Sequence, residues 1–305
     1  MALEALTSQL EDEIEDPEEE TFLLFSRPAA SHNLGFIDPA ARTVDVSVAG
    51  RDFTIHQSPG VLSSTRAGGT TGAVLWKITP LFASYISSPS GHILPLLSSE
   101  DSPSVLELGC GISPLTALSL APLVAHYILS DQPYVQRLVS LNIAENPPNP
   151  LPRRTKGKAA DRRHQDSGSR SSSSSSSKVV FTPLDWETDS VTPSLSPTGH
   201  FDLVIACDCV YNDALVRPLV QTCADACRLK DELASRRGVE GDGQGQGATP
   251  CVCIVAQQLR SDDVFELWMT EFHRLFRVWR FPDLLLPEGL RPDDGFVIHA
   301  GVLRA

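Results

Sequence analysis

No uninterrupted apolar run in the 305 residues is long enough to cross a bilayer, so no membrane-spanning helix is expected. The basic-then-apolar opening of a secretory signal is missing too: MALEALTSQLEDEIEDPEEE holds nine acids and neither Lys nor Arg. A mitochondrial presequence would be poor in acids, which leaves the cytoplasm as the expected compartment, with the nucleus as a second. Cations are scarce, 25 Lys and Arg against 38 Asp and Glu, for a net charge of −13. Phosphate neutralisation needs the opposite balance, so nucleic acid is not the expected substrate; an acidic surface instead suits a basic protein partner. The seven cysteines form no C-x-x-C, and no histidine stands at ligand spacing to them, so no metal site is expected. Small buried hydrophobes are their expected role.

What is present falls into a tail and a domain. Residues 1–35 read as an acidic N-terminal tail, solvated and partly disordered. Residues 36–305 read as one domain, interrupted by low-complexity insertions at 147–178 and 237–250. The first insertion carries eight Lys and Arg, two Asp and a seven-serine run; the second is GVEGDGQGQGATP with its flank. The domain opens on TVDVSV and FTIHQS, alternating segments joined by Ala49-Gly50-Arg51-Asp52, which predict a β-hairpin. AVLWKITPLFASYI predicts a helix that Pro80 kinks or bounds.

From Val105 strand and helix signals alternate, as in a parallel sheet covered by helices. The strands are expected at Val105–Leu108, Tyr127–Ser130, Val179–Pro183, Phe201–Ala206, Cys251–Ala256, Arg277–Phe281 and Phe296–Leu303. Helices are expected near Leu115–Leu120, Pro133–Ala144, Ala214–Arg236 and Asp262–Phe276, and the last two strands suit a closing antiparallel hairpin.

VLELGCGIS, Val105 to Ser113, places Gly109 and Gly111 where a strand turns into a helix and the backbone must approach a ligand closely. A dinucleotide fingerprint would have glycine at the sixth position; here it is Pro114, which offers no N–H to a phosphate. Glu107 would repel phosphate and suit a cation such as an amino group or a sulfonium. Asp131, at the end of the second strand of the βαβ unit, stands where an acid accepts from ribose hydroxyls. The ligand expected is therefore adenosine-bearing, cationic and without pyrophosphate.

ELGCGIS resembles motif I of the seven-strand S-adenosylmethionine methyltransferases, with Ser113 in place of its third glycine. TTGAVLWKITP, LDWE and ACDCVY extend the likeness to the family-16 protein-lysine methyltransferases, and within these to the fungal ribosomal lysine N-methyltransferase 5 type. The resemblance implies an α/β fold: a Rossmann-like seven-stranded class I sheet with helices on both faces, here with an N-terminal β-hairpin extension. It implies S-adenosylmethionine (SAM) as cofactor, with Trp76, Gly109, Cys110 and Gly111 at its methionine end beside Glu107. Asp131 would hold the ribose, Asp185 and Trp186 the adenine, and Ala206 would close the pocket.

Asp208 and Tyr211 form the D-x-x-Y arrangement that the family carries after the fourth strand. They are the expected catalytic pair, Asp208 orienting the incoming ammonium and Tyr211 walling the lysine channel. Cys209 and Val210 stand where base-amino methyltransferases have two prolines, which speaks against a nucleic-acid acceptor. The resemblance implies a protein-lysine methyltransferase acting on a large-subunit ribosomal protein, a basic partner by the charge argument; a monomer is the default expectation. The alternatives are another acceptor, such as a chaperone, an AAA ATPase or an elongation factor, and a non-catalytic adaptor on the same fold.

Overall fold

The runs SVLEL, LVIAC and VCIVAQQ have no exposed position, which marks them as central strands covered on both faces. The structure is a computed structural model describing residues 2–27, 35–66, 68–88, 92–98, 100–147, 178–240 and 249–304. In chain order these residues form α1 (Ala2–Thr7), α2 (Pro17–Phe25), β1 (Thr43–Val48), β2 (Arg51–His56), α3 (Pro59–Leu62), α4 (Ile78–Ile86), α5 (Leu94–Ser98) and β3 (Ser104–Leu108). There follow α6 (Leu115–Leu120), β4 (His126–Asp131), α7 (Gln136–Glu145), β5 (Val179–Pro183), β6 (Leu203–Cys207), α8 (Asp213–Glu240), β7 (Val252–Gln258), α9 (Asp262–Leu275), β8 (Phe276–Arg280) and β9 (Phe296–Leu303).

Seven strands make one sheet in the order β5-β4-β3-β6-β7-β9-β8. The first five run parallel; β9 runs antiparallel to β7, and β8 antiparallel to β9. This is the seven-stranded α/β sheet expected, closing antiparallel hairpin included. Strand order reverses between β3 and β6, which opens a crevice beyond their carboxyl ends, where open α/β sheets take ligands. Alternation along the strands divides the core. Val105, Ile205, Cys207 and Ile254 join one apolar cluster with residues of α4, α6 and α7. Leu106, Leu108, Val204, Ala206 and Cys253 join the other with residues of α8 and α9. All seven cysteines are free and buried, as expected of small hydrophobes. Among the described residues no helix is long and apolar enough to cross a membrane.

The hairpin forms with a tighter turn than expected. Ala49 and Gly50 alone make it, both at positive φ (50° and 77°), and β2 begins at Arg51, opposite Val48. Two residues with positive φ match the twist of a two-residue hairpin loop. Two asparagines one turn apart, Asn142 on α7 and Asn146 just past its end, hold the hairpin's free edge: Asn142 accepts from His56 N at 2.8 Å, and Asn146 accepts from Thr54 N at 3.0 Å. Both return a bond from Nδ2 to the same residue's carbonyl. Pro80 marks a boundary, the second of the two expectations: the helix begins only at Ile78. The proline lies in the first turn of α4, where the backbone N–H has no intrahelical acceptor to lose.

The acidic N-terminal segment differs from the solvated tail expected. It folds into α1 and α2, and its middle runs along the outer edge of β8, where Glu11 N and Ile14 N donate to Arg280 O and Val278 O at 3.1 and 2.8 Å. Its acids meet basic side chains of the closing hairpin. Glu13 pairs with Arg277 at 2.6 Å and Glu11 with Arg280, while Glu20, 5% exposed, takes both Arg280 and fully buried His299 at 2.9 Å. Leu6, Ile14 and Leu24 are buried beneath. The charge run looked solvated because its counter-charges lie some 260 positions away in the chain. Both low-complexity insertions fall mainly outside the described residues, 148–177 and 241–248.

Candidate active site

At the carboxyl ends of β3, β4 and β6 lies a cavity of about 330 Å³, a size suited to a small ligand. Its floor is the turn after β3. Gly109 and Gly111 have φ of +65° and +56°, a conformation glycine adopts without penalty. The space is close as well: a Cβ on Gly109 would lie 2.6 Å from Cys209 Sγ and 3.0 Å from the Trp186 ring, and one on Gly111 would lie 3.0 Å from Gly72 O. Asp131, ending β4, fastens this turn by accepting from Gly111 N at 2.8 Å and from Gln132 N at 2.6 Å. The Gly/Thr-rich patch before α4 forms the roof. Gly72 N donates to Tyr134 Oη at 3.0 Å, Gly72 O accepts from Ile112 N at 2.9 Å, and Thr71 Oγ1 donates to Tyr211 Oη at 3.0 Å. Trp76 Nε1 donates to Thr71 O at 3.1 Å, and its ring lies 4.4 Å from that of Phe36.

Burial raises the pKa of two carboxyls in the cavity. Glu107 sits on the central strand, 1% exposed, and burial pushes it up to about 7, although Tyr127 Oη donates to it at 2.6 Å. Burial likewise pushes Asp131 up to about 6, against the backbone bonds from Gly111 and Gln132. Asp208 is different. It stands just past β6 at φ +62°, a position Asp tolerates better than most residues. Arg260 grips both its oxygens, Nη1 to Oδ1 at 2.6 Å and Nη2 to Oδ2 at 2.7 Å.

Ten of the residues singled out in the sequence line this one cavity: Trp76, Glu107, Gly109, Cys110, Gly111, Asp131, Asp185, Trp186, Asp208 and Tyr211. Ala206 does not. Alternation along β6 turns it into the cluster with α8 and α9, and its neighbours Cys207 and Asp208 reach the cavity instead. Sequence reasoning missed Phe36, Tyr134, Leu184 and Arg260. A signal for Arg260 was available, because it follows the carboxyl end of β7, beside the switch point. None existed for Phe36, which reaches Trp76 through an isolated β-bridge.

The residues present fit an adenosine-bearing cation. The Trp186 indole N–H is buried without a hydrogen-bond partner among the described residues, a donor left for a ligand. Two acids, a glycine floor without room for side chains and aromatic rings at Trp76 and Trp186 complete the cradle. Among the described residues no cluster of His, Cys, Asp and Glu suits a metal ion.

A family profile described as lysine methyltransferase matches residues 169–235. Ribosomal lysine N-methyltransferase 5 of Zygosaccharomyces rouxii is 30% identical over 244 residues, covering 72% of this chain and 69% of that one. A Schizosaccharomyces pombe protein named diaminohydroxyphosphoribosylamino-pyrimidine deaminase is 25% identical over 267 residues, 87% of this chain; the match spans about half, 53%, of that longer protein. Among solved structures, the N-methyltransferase NodS of Bradyrhizobium japonicum, in complex with S-adenosyl-L-homocysteine, superposes with a TM-score of 0.39 at 12% identity, over 72% of this chain and 89% of its own.

Proposed function

The chain belongs to the lysine methyltransferases, and on that premise we propose that it transfers methyl groups from SAM to a lysine of a large-subunit ribosomal protein in the cytoplasm. One observation carries the reading: ten residues chosen for a SAM and lysine site, scattered from position 76 to 211, line one cavity at the switch point of the sheet. When bound, SAM would supply a methyl group on a sulfonium leaving group, and the residues lining the cavity would hold it beside the lysine nitrogen.

The protein's own groups bind and align. The glycine floor gives the ligand the close backbone approach that a side chain would block. Glu107 answers positive charge, Asp131 the ribose hydroxyls, Asp185 and Trp186 the base, and Trp76 walls the methyl-bearing end. Alignment is the main requirement of an in-line transfer. The acceptor must arrive as a neutral amine, although free lysine has a pKa of about 10.4. A half-enclosed site beside positive charge lowers that value, since desolvation and like charge both disfavour an ammonium. Asp208 orients the amine. Its carboxylate has about four acceptor positions, and Arg260 with Gln258 N uses three among the described residues, which leaves one on Oδ2 for an amine N–H. Tyr211, 40% exposed and tied to the roof through Thr71, walls the approach.

The ribosomal acceptor is supported by the name of the Zygosaccharomyces relative and by the acidic surface, which attracts basic proteins. Radiolabelled SAM given to purified ribosomes and to whole lysate tests it. Label on a large-subunit protein, mapped to lysine by mass spectrometry, is the expected result; a labelled band found only outside ribosomal fractions overturns the acceptor and leaves the chemistry.

A further inference from the structure

Asp208 and Arg260 form a pair that the chemistry of alignment does not by itself require. Both side chains are withdrawn from solvent, 4% and 18% exposed, and both line the cavity. Arg260 is built into place from three sides. Its two terminal nitrogens meet the two carboxylate oxygens in the bidentate geometry that makes such pairs strong. Nη2 also donates to Gln258 Oε1 at 3.0 Å, and the guanidinium carbon lies 5.0 Å from the centre of the Trp76 ring, whose other neighbour is Phe36. Gly35 packs so closely on Gln258 that a Cβ there would collide with Oε1, so the backbone before Phe36 clamps the arrangement.

An unpaired carboxylate at this depth would attract an ammonium and hold it protonated. A protonated amine has no lone pair, and a site that binds it tightly stabilises the unreactive form of its own substrate. With Arg260 in place the pair is neutral overall, while Oδ2 keeps one acceptor position. Resting on the lysine methyltransferase reading, we propose that Arg260 is a positioning residue acting through Asp208: it cancels the carboxylate's charge so that the site receives the acceptor as a neutral amine and orients it without trapping the ammonium.

The idea separates ground-state binding from turnover, which a merely structural role would not do. In the full chain, Arg260→Gln is expected to lower kcat for labelled acceptor about tenfold while its KM stays level or falls, with SAM affinity by calorimetry unchanged. Arg260→Lys, which keeps the charge, is expected to restore most of kcat. A second probe needs no acceptor protein. n-Butylammonium, a lysine side-chain mimic, should bind the SAM-analogue complex of Arg260→Gln about tenfold more tightly than that of the parent protein. Asp208→Asn in the same background should abolish the gain. Gln258→Leu, which removes the anchor on Arg260 Nη2 and so loosens the ion pair, should shift both readouts in the same direction by a smaller factor and keeps the test open where Arg260→Gln folds poorly. Raised KM together with weakened SAM binding, or a butylammonium gain that survives Asp208→Asn, would overturn the proposal. A parent protein that labels no lysine, with the butylammonium gain intact, would overturn the methyltransferase reading and leave the charge pairing standing.

Discussion

Single residues decide what the cavity binds, and two of them make it sensitive to pH. Glu107 and Asp131 are pushed up to about 7 and about 6 by burial, from 4.5 and 3.8. A raised carboxyl means that the folded protein holds more protons than the unfolded chain between the two values, so stability falls as pH rises through that window. The ligand-free protein is therefore expected to lose part of its thermal stability between pH 5 and 8, and Glu107→Gln should flatten that slope in a melting series. A cationic ligand favours the ionised carboxyls, so SAM affinity should weaken as pH falls below about 7, with protons released on binding; calorimetry in buffers of different ionisation enthalpy reads both. At the floor, Gly109→Ala combines a disfavoured backbone of about 1–2 kcal/mol with a clash against Cys209. At least a tenfold loss of SAM affinity is expected, with the fold retained by circular dichroism. The glycines and both acids could be read from the sequence because strand, turn and acid stand at fixed spacings along one βαβ unit. Arg260 could not be assigned a role, because its partner lies 52 positions earlier and only the pairing of β6 with β7 brings them together.

At the scale of elements, the N-terminal segment is held by its ion pairs as much as by its apolar residues. Burial would raise the Glu20 carboxyl, but His299 and Arg280 outweigh it and hold the group below its ordinary value. The sign is then the reverse of that at Glu107: the contribution is present above the ordinary carboxyl range and is lost as pH falls through the depressed value. Glu20→Ala leaves buried His299 without its carboxylate partner and Arg280 with Glu11 alone, a change expected to cost about 3–5 kcal/mol in urea denaturation. If Glu20→Ala unfolds at the same urea concentration as the parent, the segment is not held by this pair. The strands and the long helices were legible in their periodicity, to within one or two residues for most. The acidic helices were not, because local composition cannot reveal a counter-charge that folding delivers to the opposite end of the chain. Pro80 was legible as a boundary: α4 starts two residues before it, so the proline falls in the first turn, where it costs no intrahelical bond.

For the molecule as a whole, net charge governs approach rather than chemistry. With −13 on the chain, capture of a basic acceptor should be steered and therefore screened: kcat/KM is expected to fall as salt rises from 50 to about 300 mM, with kcat nearly constant. Equal loss in both parameters would place the salt effect in the site instead. The sequence alone determined the class of fold, the order of strand and helix, the glycine turn and the exclusion of pyrophosphate, because each rests on short-range spacing and on the chemistry of a few side chains. Only the tertiary structure decided which neighbours meet. It turned Ala206 to the far face of the sheet, brought Phe36 to Trp76, laid an acid-rich segment along the β8 edge, and closed the Asp208 carboxylate against Arg260. Those outcomes depend on pleat direction, strand order and long-range charge pairing, none of which is written in any local stretch of the chain.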